Sequence, residues 1–330
     1  MQFRFLRLFA QSTALLLCTL CVLAAPANAT ERTVTYMLPA PTTLPAFAPW
    51  MVAQGMGYYA QEGLHVTFIS GQGGVDVAKQ VGAGNVPMGG AIGDTPIIVR
   101  ANGIPVKDVA ILGHGSLTLI AVRAGTGITT AAQLKGKTVT VMSYVDTTYY
   151  SLLGWLKKAG LSKSDVSIQA AGPVGVWQAL VSKRADAMAA VPEWVVFAEA
   201  AGAKVDVLPP QKGFQSMAQS IIASDKIIKD DPRLVQSFVT ATLRGMKLIM
   251  SDPEKAIDAY VKVVPSYADK KATLAKIFAL YTKYVYVSPQ NAGVIDAKRL
   301  GAIEKFYVNE GIVSRAVPLD ELYTNKFVQH

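Results

Sequence analysis

The chain has 330 residues, 51% of them apolar, and a formal charge of +9 at pH 7. That apolar share supplies real cores and excludes an intrinsically disordered chain. The basic excess is scattered among acids, as at Lys135, Lys137, Lys157, Lys158 and Lys163, with no Arg/Lys block interleaved with aromatics, so a nucleic-acid reader is set aside.

In chain order, Arg4 and Arg7 precede an apolar run, Ala14 to Ala25, which ends in Pro26-Ala27-Asn28-Ala29. A charged start, a short apolar stretch and an A-x-A end predict a secretory signal peptide over residues 1–29, cleaved after Ala29. The run is too short to span a bilayer comfortably. Cys18 and Cys21 each follow Leu, which a lipoprotein anchor would not tolerate, and both fall in the segment to be removed. The expected mature chain, from Thr30, therefore has no disulfide, thiolate nucleophile or cysteine metal site. A soluble periplasmic product is expected.

Short β-rich runs then alternate with longer helical ones, which predicts α/β layers. Val34–Leu38 reads as a strand and the proline-rich stretch Pro39–Pro45 as a loop. A helix is expected over Phe47–Gln61, then a strand over His65–Ile69 and a Gly71-Gln-Gly-Gly74 turn into a helix from Val75. The segment Val75 to Val106 lines up with Val174 to Val205 at constant offset and without a gap. Val81 matches Leu180, Ile92 matches Val191, Asp94 matches Glu193 and Gly103 matches Gly202. One α/β unit used twice predicts two similar lobes facing each other, although βαβ units resemble one another in general.

Leu117–Val122 and Ser216–Ala223 bracket the second unit and are expected to be crossover strands. Residues 30–122 and 216–330 would then form lobe 1, with residues 123–215 inserted as lobe 2. The C-terminal third reads as helical, with Asp231-Pro232 and Asp252-Pro253 as cap-plus-proline helix starts. Two more amphipathic helices are expected over Asp269–Tyr286 and Ile295–Asn309.

Five stretches carry a family resemblance: Ala53–Val66, Thr95–Val106, Ala132–Val139, Arg184–Ala187 and Asp231–Val235. In order along the chain, they resemble the periplasmic binding proteins for nitrate, aliphatic sulfonates, taurine and thiamine-pyrimidine precursors. The resemblance implies a two-lobed type II periplasmic-binding-protein fold, two hinge strands and a ligand cleft between the lobes. It implies a monomeric substrate-binding component of an ABC importer, whose partners are a small organic solute and an inner-membrane permease, and no cofactor. A ligand-sensing module for a membrane receptor stays open as an alternative. So does a pyrimidine-synthase-like enzyme, which the resemblance links to a cysteine-rich motif and an active-site histidine. Pro87 departs from the family, which often has an acid there, as Asp186 supplies in the second unit.

Catalytic motifs are wanting. Gly71-Gln-Gly73 and Gly82-Ala-Gly84 both fail the dinucleotide fingerprint, and no phosphate loop occurs. The three histidines, His65, His114 and His330, are too scattered for a local zinc motif. Ligands of open α/β sheets collect at the carboxyl ends of strands, which nominates five turns. The first offers Thr42 and Thr43; the second offers backbone donors at Gly73 and Gly74. The third carries Asp94 and Thr95. The fourth, Ser143–Thr148, offers an anion-friendly helix start, with Ser143, Thr147 and Thr148 as donors and Tyr144 as an aromatic cover. The fifth has Glu193 as an acceptor and Trp194 as a stacking surface. His114, near the first crossover, is a further candidate, and Trp50 is read as core. Each acid has an ordinary alternative role at a helix start, and each turn an alternative as a simple cap. An acid facing the ligand favours an organic solute with a hydrogen-bond donor, such as an amino-pyrimidine, over a bare oxyanion.

Overall fold

The computed structural model describes residues 31–209 and 214–328; the expected signal peptide and its cleavage site lie outside the described residues. The first stretch runs β1 (Arg32–Leu38), α1 (Ala48–Gly55), α2 (Tyr58–Gln61), β2 (Leu64–Ser70), α3 (Gly74–Gly82), β3 (Met88–Ile92), α4 (Thr95–Arg100) and β4 (Val106–Ile111). The second runs β5 (Leu119–Arg123), β6 (Thr138–Val141), α5 (Thr147–Lys158), β7 (Ser167–Ala170), α6 (Gly172–Val181), β8 (Ala187–Ala190), α7 (Pro192–Ala200) and β9 (Val205–Val207). The third opens with β10 (Gln219–Ser224) and continues as α8 (Asp225–Asp230), α9 (Pro232–Ser251), α10 (Pro253–Val263), α11 (Lys271–Tyr281), α12 (Ala297–Asn309) and α13 (Leu319–Leu322).

These strands form two five-stranded mixed sheets, ordered β2-β1-β3-β10-β4 and β7-β6-β8-β5-β9. In the first, β1 lies parallel between β2 and β3, and β10 runs antiparallel between β3 and β4. In the second, β6 lies parallel between β7 and β8, and β5 runs antiparallel between β8 and β9. The two orders are the same diagram, and the repeat read from the sequence maps α3 onto α6, β3 onto β8, α4 onto α7 and β4 onto β9. The chain leaves the first sheet after Ile111 and returns to it at Gln219, so each passage between sheets ends in the antiparallel strand. β5 and β10 are laddered on both sides. The residues just before them, 112–118 and 214–218, are the described parts of the two links between the sheets.

Packing follows the apolar pattern. Tyr36 on β1 stacks on Phe238 of α9, with ring centroids 4.4 Å apart. The Asp-Pro starts behave as read: Asp231 accepts from the Leu234 N–H and Asp252 from the Lys255 N–H, each cap stabilising its helix by about 1 kcal/mol. The helix expected over 47–61 is broken into a 3-10 turn at Pro45–Phe47, α1 and α2. The one expected over 269–286 ends in a π-helical turn, Thr282–Tyr286, which lies against the first link between the sheets.

Candidate functional site

A cavity lies where the carboxyl ends of the parallel strands of both sheets face each other, with about 530 Å³ of atom-free space counting its mouth. Pro39 and Ala40 follow β1, Met142 follows β6 and Val191 follows β8, and all four line it. The walls are apolar and aromatic: Leu44, Phe47 and Trp50 come from the loop and helix after β1, and Trp194 from α7. Polar lining comes from Asp146, Thr147, Thr148, Glu193 and Gln219. No Lys, Arg or His is among the described lining residues.

Glu193 is the polar centre of this wall. Proline at the first position starts α7, and the acid follows it, where the helix dipole favours negative charge. The residue is 1% exposed. Its Oε2 accepts a hydrogen bond from the Tyr281 hydroxyl at 2.5 Å, while Oε1 has no hydrogen-bond partner. Burial raises the carboxyl from 4.5 to about 7, against the opposing effect of the Tyr281 hydrogen bond. The folded protein thus holds a proton that the unfolded chain has released between about 4.5 and about 7. Folding stability from this group is present below that window and is lost as pH rises through about 7. Replacing Glu193 by Gln, neutral at every pH, should raise the melting temperature relative to wild type at pH 8 and not at pH 5. Paired thermal melts at the two pH values check this; an equal difference at both would remove the buried carboxylate as its source.

The helix start at α5 is already occupied. Asp146 is its N-cap, accepting from the Thr148 N–H at 2.9 Å and from the Thr148 hydroxyl. Burial raises this carboxyl too, opposed by the bonds from Thr148 and the Gly74 backbone. An anion arriving here meets a carboxyl group where the bare helix end would have offered free N–H groups.

The turns after β2 and β6 touch across the cavity rim. The Val75 N–H donates to Val145 O at 3.2 Å, the Ser143 hydroxyl to Gln72 O at 2.9 Å, and the Thr95 and Thr147 hydroxyls bond each other at 2.9 Å. These bonds join the two sheets across the rim.

Of the nominated residues, Gly74, Thr147, Thr148, Glu193 and Trp194 come together in the cavity wall. The others stand around it. A Cβ on Gly73 would collide with the Val145 and Asp146 backbone across the rim, and Thr95 and Ser143 make the bonds just described. The Tyr144 hydroxyl donates to Ile168 O from an exposed position. Thr43 lends its carbonyl to the Tyr260 hydroxyl at 2.6 Å, and neighbouring Thr42 is not in the lining. The His114 carbonyl accepts from Arg299. Asp94 is fully buried, its Oδ2 accepting from the Tyr307 hydroxyl at 2.6 Å. The repeat thus gives two equivalent acids, each bonded by a tyrosine from a different C-terminal helix, and only the second acid lines the cavity. Leu44 and Phe47 follow the end of β1, a position that is the available signal for them, and Trp50, read as core, is buried and lines the cavity as well. Tyr281, 88 residues from Glu193, left no local signal.

Residues 44–256 match the family model described as NMT1/THI5 like. The riboflavin-binding protein RibY of Chloroflexus aurantiacus is 26% identical over 315 residues, covering 92% of this chain and 89% of its own. A 4-amino-5-hydroxymethyl-2-methylpyrimidine phosphate synthase of Aspergillus parasiticus is 25% identical over 235 residues, covering 67% of this chain and 68% of its own. Among solved structures, the alkanesulfonate-binding protein SsuA of Xanthomonas axonopodis pv. citri bound to MOPS superposes with a TM-score of 0.72 at 17% identity, over 88% of this chain and 98% of that one. That likeness shows the fold, a type II periplasmic-binding-protein architecture.

Proposed function

Because this chain belongs to the NMT1/THI5-like family, we propose that it is the solute-binding component of an ABC importer. It captures a flat heteroaromatic solute bearing an N–H donor and presents it, in the periplasm, to a permease. One observation carries this reading. Glu193, whose Oε1 receives no donor from another residue, lines an aromatic-walled cavity formed by both lobes. A buried acceptor without a donor costs about 1–3 kcal/mol, which a ligand N–H relieves. Trp50, Phe47 and Trp194 supply surfaces on which a planar ring stacks. Among the described residues of this wall, nitrate or a simple sulfonate finds no cationic side chain and two carboxyl groups, Asp146 and Glu193. The kinship with RibY favours an isoalloxazine, whose ring N–H lies between two carbonyls, over a single pyrimidine ring. The role is binding rather than catalysis: with 1–29 removed the chain has no cysteine, and no histidine is among the described lining residues.

A thermal-shift screen over riboflavin, lumichrome, an amino-pyrimidine, taurine, an alkyl sulfonate and nitrate tests the assignment. A ligand selective for the folded state, at a hundred times its Kd, stabilises by about 2.7 kcal/mol. Riboflavin or lumichrome should raise the melting temperature, and nitrate and taurine should not. Stabilisation by the oxyanions alone would overturn the heteroaromatic reading.

A further inference from the structure

The two links between the sheets converge on one side chain that does not line the cavity. Arg299 stands in the first turn of α12, where the Asp296 carboxylate caps the helix by accepting from the Lys298 and Arg299 N–H groups. Its Nη1 donates to His114 O, and its Nη2 donates to Gly115 O at 3.1 Å and to Ser216 O. His114 and Gly115 belong to the first link, 112–118, and Ser216 to the second, 214–218. These carbonyls have left their sheets and lost ladder partners, so a planar fork of charged N–H donors satisfies them where water would otherwise be needed.

The links are also tied to each other. The Ser116 and Ser216 hydroxyls bond at 2.8 Å, and the Leu117 N–H donates to Met217 O at 3.1 Å. The first link lies flat against the π-helical turn 282–286, where its glycines are required. A Cβ on Gly113 would sit 2.1 Å from Val285 O, and one on Gly115 1.8 Å from Tyr284 O. Along the same α12, the Tyr307 hydroxyl holds Asp94 at the start of α4, so one helix grips both links and the first repeat unit. Burial lowers the Arg299 guanidinium from its usual range, with Asp94 and Asp296 opposing the shift.

We propose that Arg299 is a positioning residue for solute binding: by clipping the two links together it makes them bend as one and sets the balance between open and closed lobes. It acts through the backbone carbonyls of the links and touches no solute. The role rests on the reading of the cavity as the binding site, but its first test needs no ligand.

With both native cysteines inside residues 1–29, a protein beginning at Thr30 takes nitroxide labels only where cysteines are introduced. His65→Cys on β2 and Ser167→Cys on β7 place them at exposed positions on the outer strands of the two sheets. Electron double resonance on ligand-free wild type should give a narrow distance distribution. Arg299→Ala should shift it to longer and broader distances. Arg299→Lys, which keeps the charge but not the fork, should broaden it less and serves if the alanine variant does not fold. Leu300→Ala, a fully buried truncation on the same helix, controls for general loosening and should leave the distribution as in wild type. In stopped flow with riboflavin, the Arg299 variants should release it about tenfold faster with little change in association. An unchanged distribution in the Arg299 variants, or the same change in Leu300→Ala, overturns the proposal. Absence of riboflavin binding in wild type with the distances as expected would instead overturn the riboflavin assignment and leave the hinge role standing.

Discussion

Glu193→Gln should weaken solute binding by about 1.5–3 kcal/mol, the range for a hydrogen bond to a charged group. The reason lies in which atom faces which partner. In wild type the Tyr281 hydroxyl donates to Oε2, and on the reading proposed above Oε1 is the atom that meets the ligand. A glutamine keeps its oxygen on Tyr281 and turns its amide N–H groups toward the cavity, where they oppose the ligand's own donor. The wild-type protein should show the same logic as a function of pH. Below about 7 Glu193 carries a proton and Oε1 cannot serve as a full acceptor; above it the carboxylate is restored. Affinity for an N–H donor should therefore rise between pH 6 and pH 8 in wild type and stay weak and flat in the glutamine variant. Isothermal titration of both proteins at three pH values measures this. Binding that is equally tight in the variant would mean that the solute presents an acceptor, because glutamine copies the protonated acid.

Gly74→Ala separates binding from stability in opposite directions. Gly74 is the first residue of α3, and its Cβ would meet the Thr147 hydroxyl at 2.4 Å, across the rim from the other sheet. Thr147 is fully buried and held by Thr95, so it has little room to retreat. With the lobes apart that clash is absent, and alanine is the better helix former by up to about 1 kcal/mol. The unliganded variant should melt at or above the wild-type temperature. Closure around the solute, however, has to displace Thr147, an overpacking cost of about 1–3 kcal/mol, so Kd should rise by roughly tenfold or more. Parallel melting curves and titrations decide the matter. A variant that binds normally would show that the rim does not need this approach.

Much of the architecture can be read along the chain because it is local and repeated. The match of Val75–Val106 to Val174–Val205 anticipates two units with the same strand order, and Asp231-Pro232 and Asp252-Pro253 announce their helices without help from the fold. The site is only half legible. Gly74, Thr147, Thr148, Glu193 and Trp194 follow strand ends, where position alone nominates them. What decides their chemistry is long-range. Asp94 and Glu193 look alike in sequence, and in the fold each has one oxygen on a tyrosine hydroxyl and one without a side-chain partner, yet only Glu193 lines the cavity. The turn Ser143–Thr148 reads as an anion site or a simple cap, and only the bonds from Thr148 to the buried Asp146 show the cap. The insertion of β10 between β3 and β4 had no sequence signal at all, since an apolar strand does not carry the name of its neighbours.

That insertion dictates an order of assembly. Everything the second sheet needs lies between Leu119 and Val207 in one continuous stretch, so it can form as soon as that stretch is free. The first sheet is different: β3 and β4 do not pair with each other, and each gains a ladder partner in β10, more than a hundred residues downstream of β4. A chain threaded outward from its N-terminus therefore holds its earliest strands as an unfinished edge while the later lobe is already built. Unpaired edges of this kind recruit other chains until their partner strand arrives.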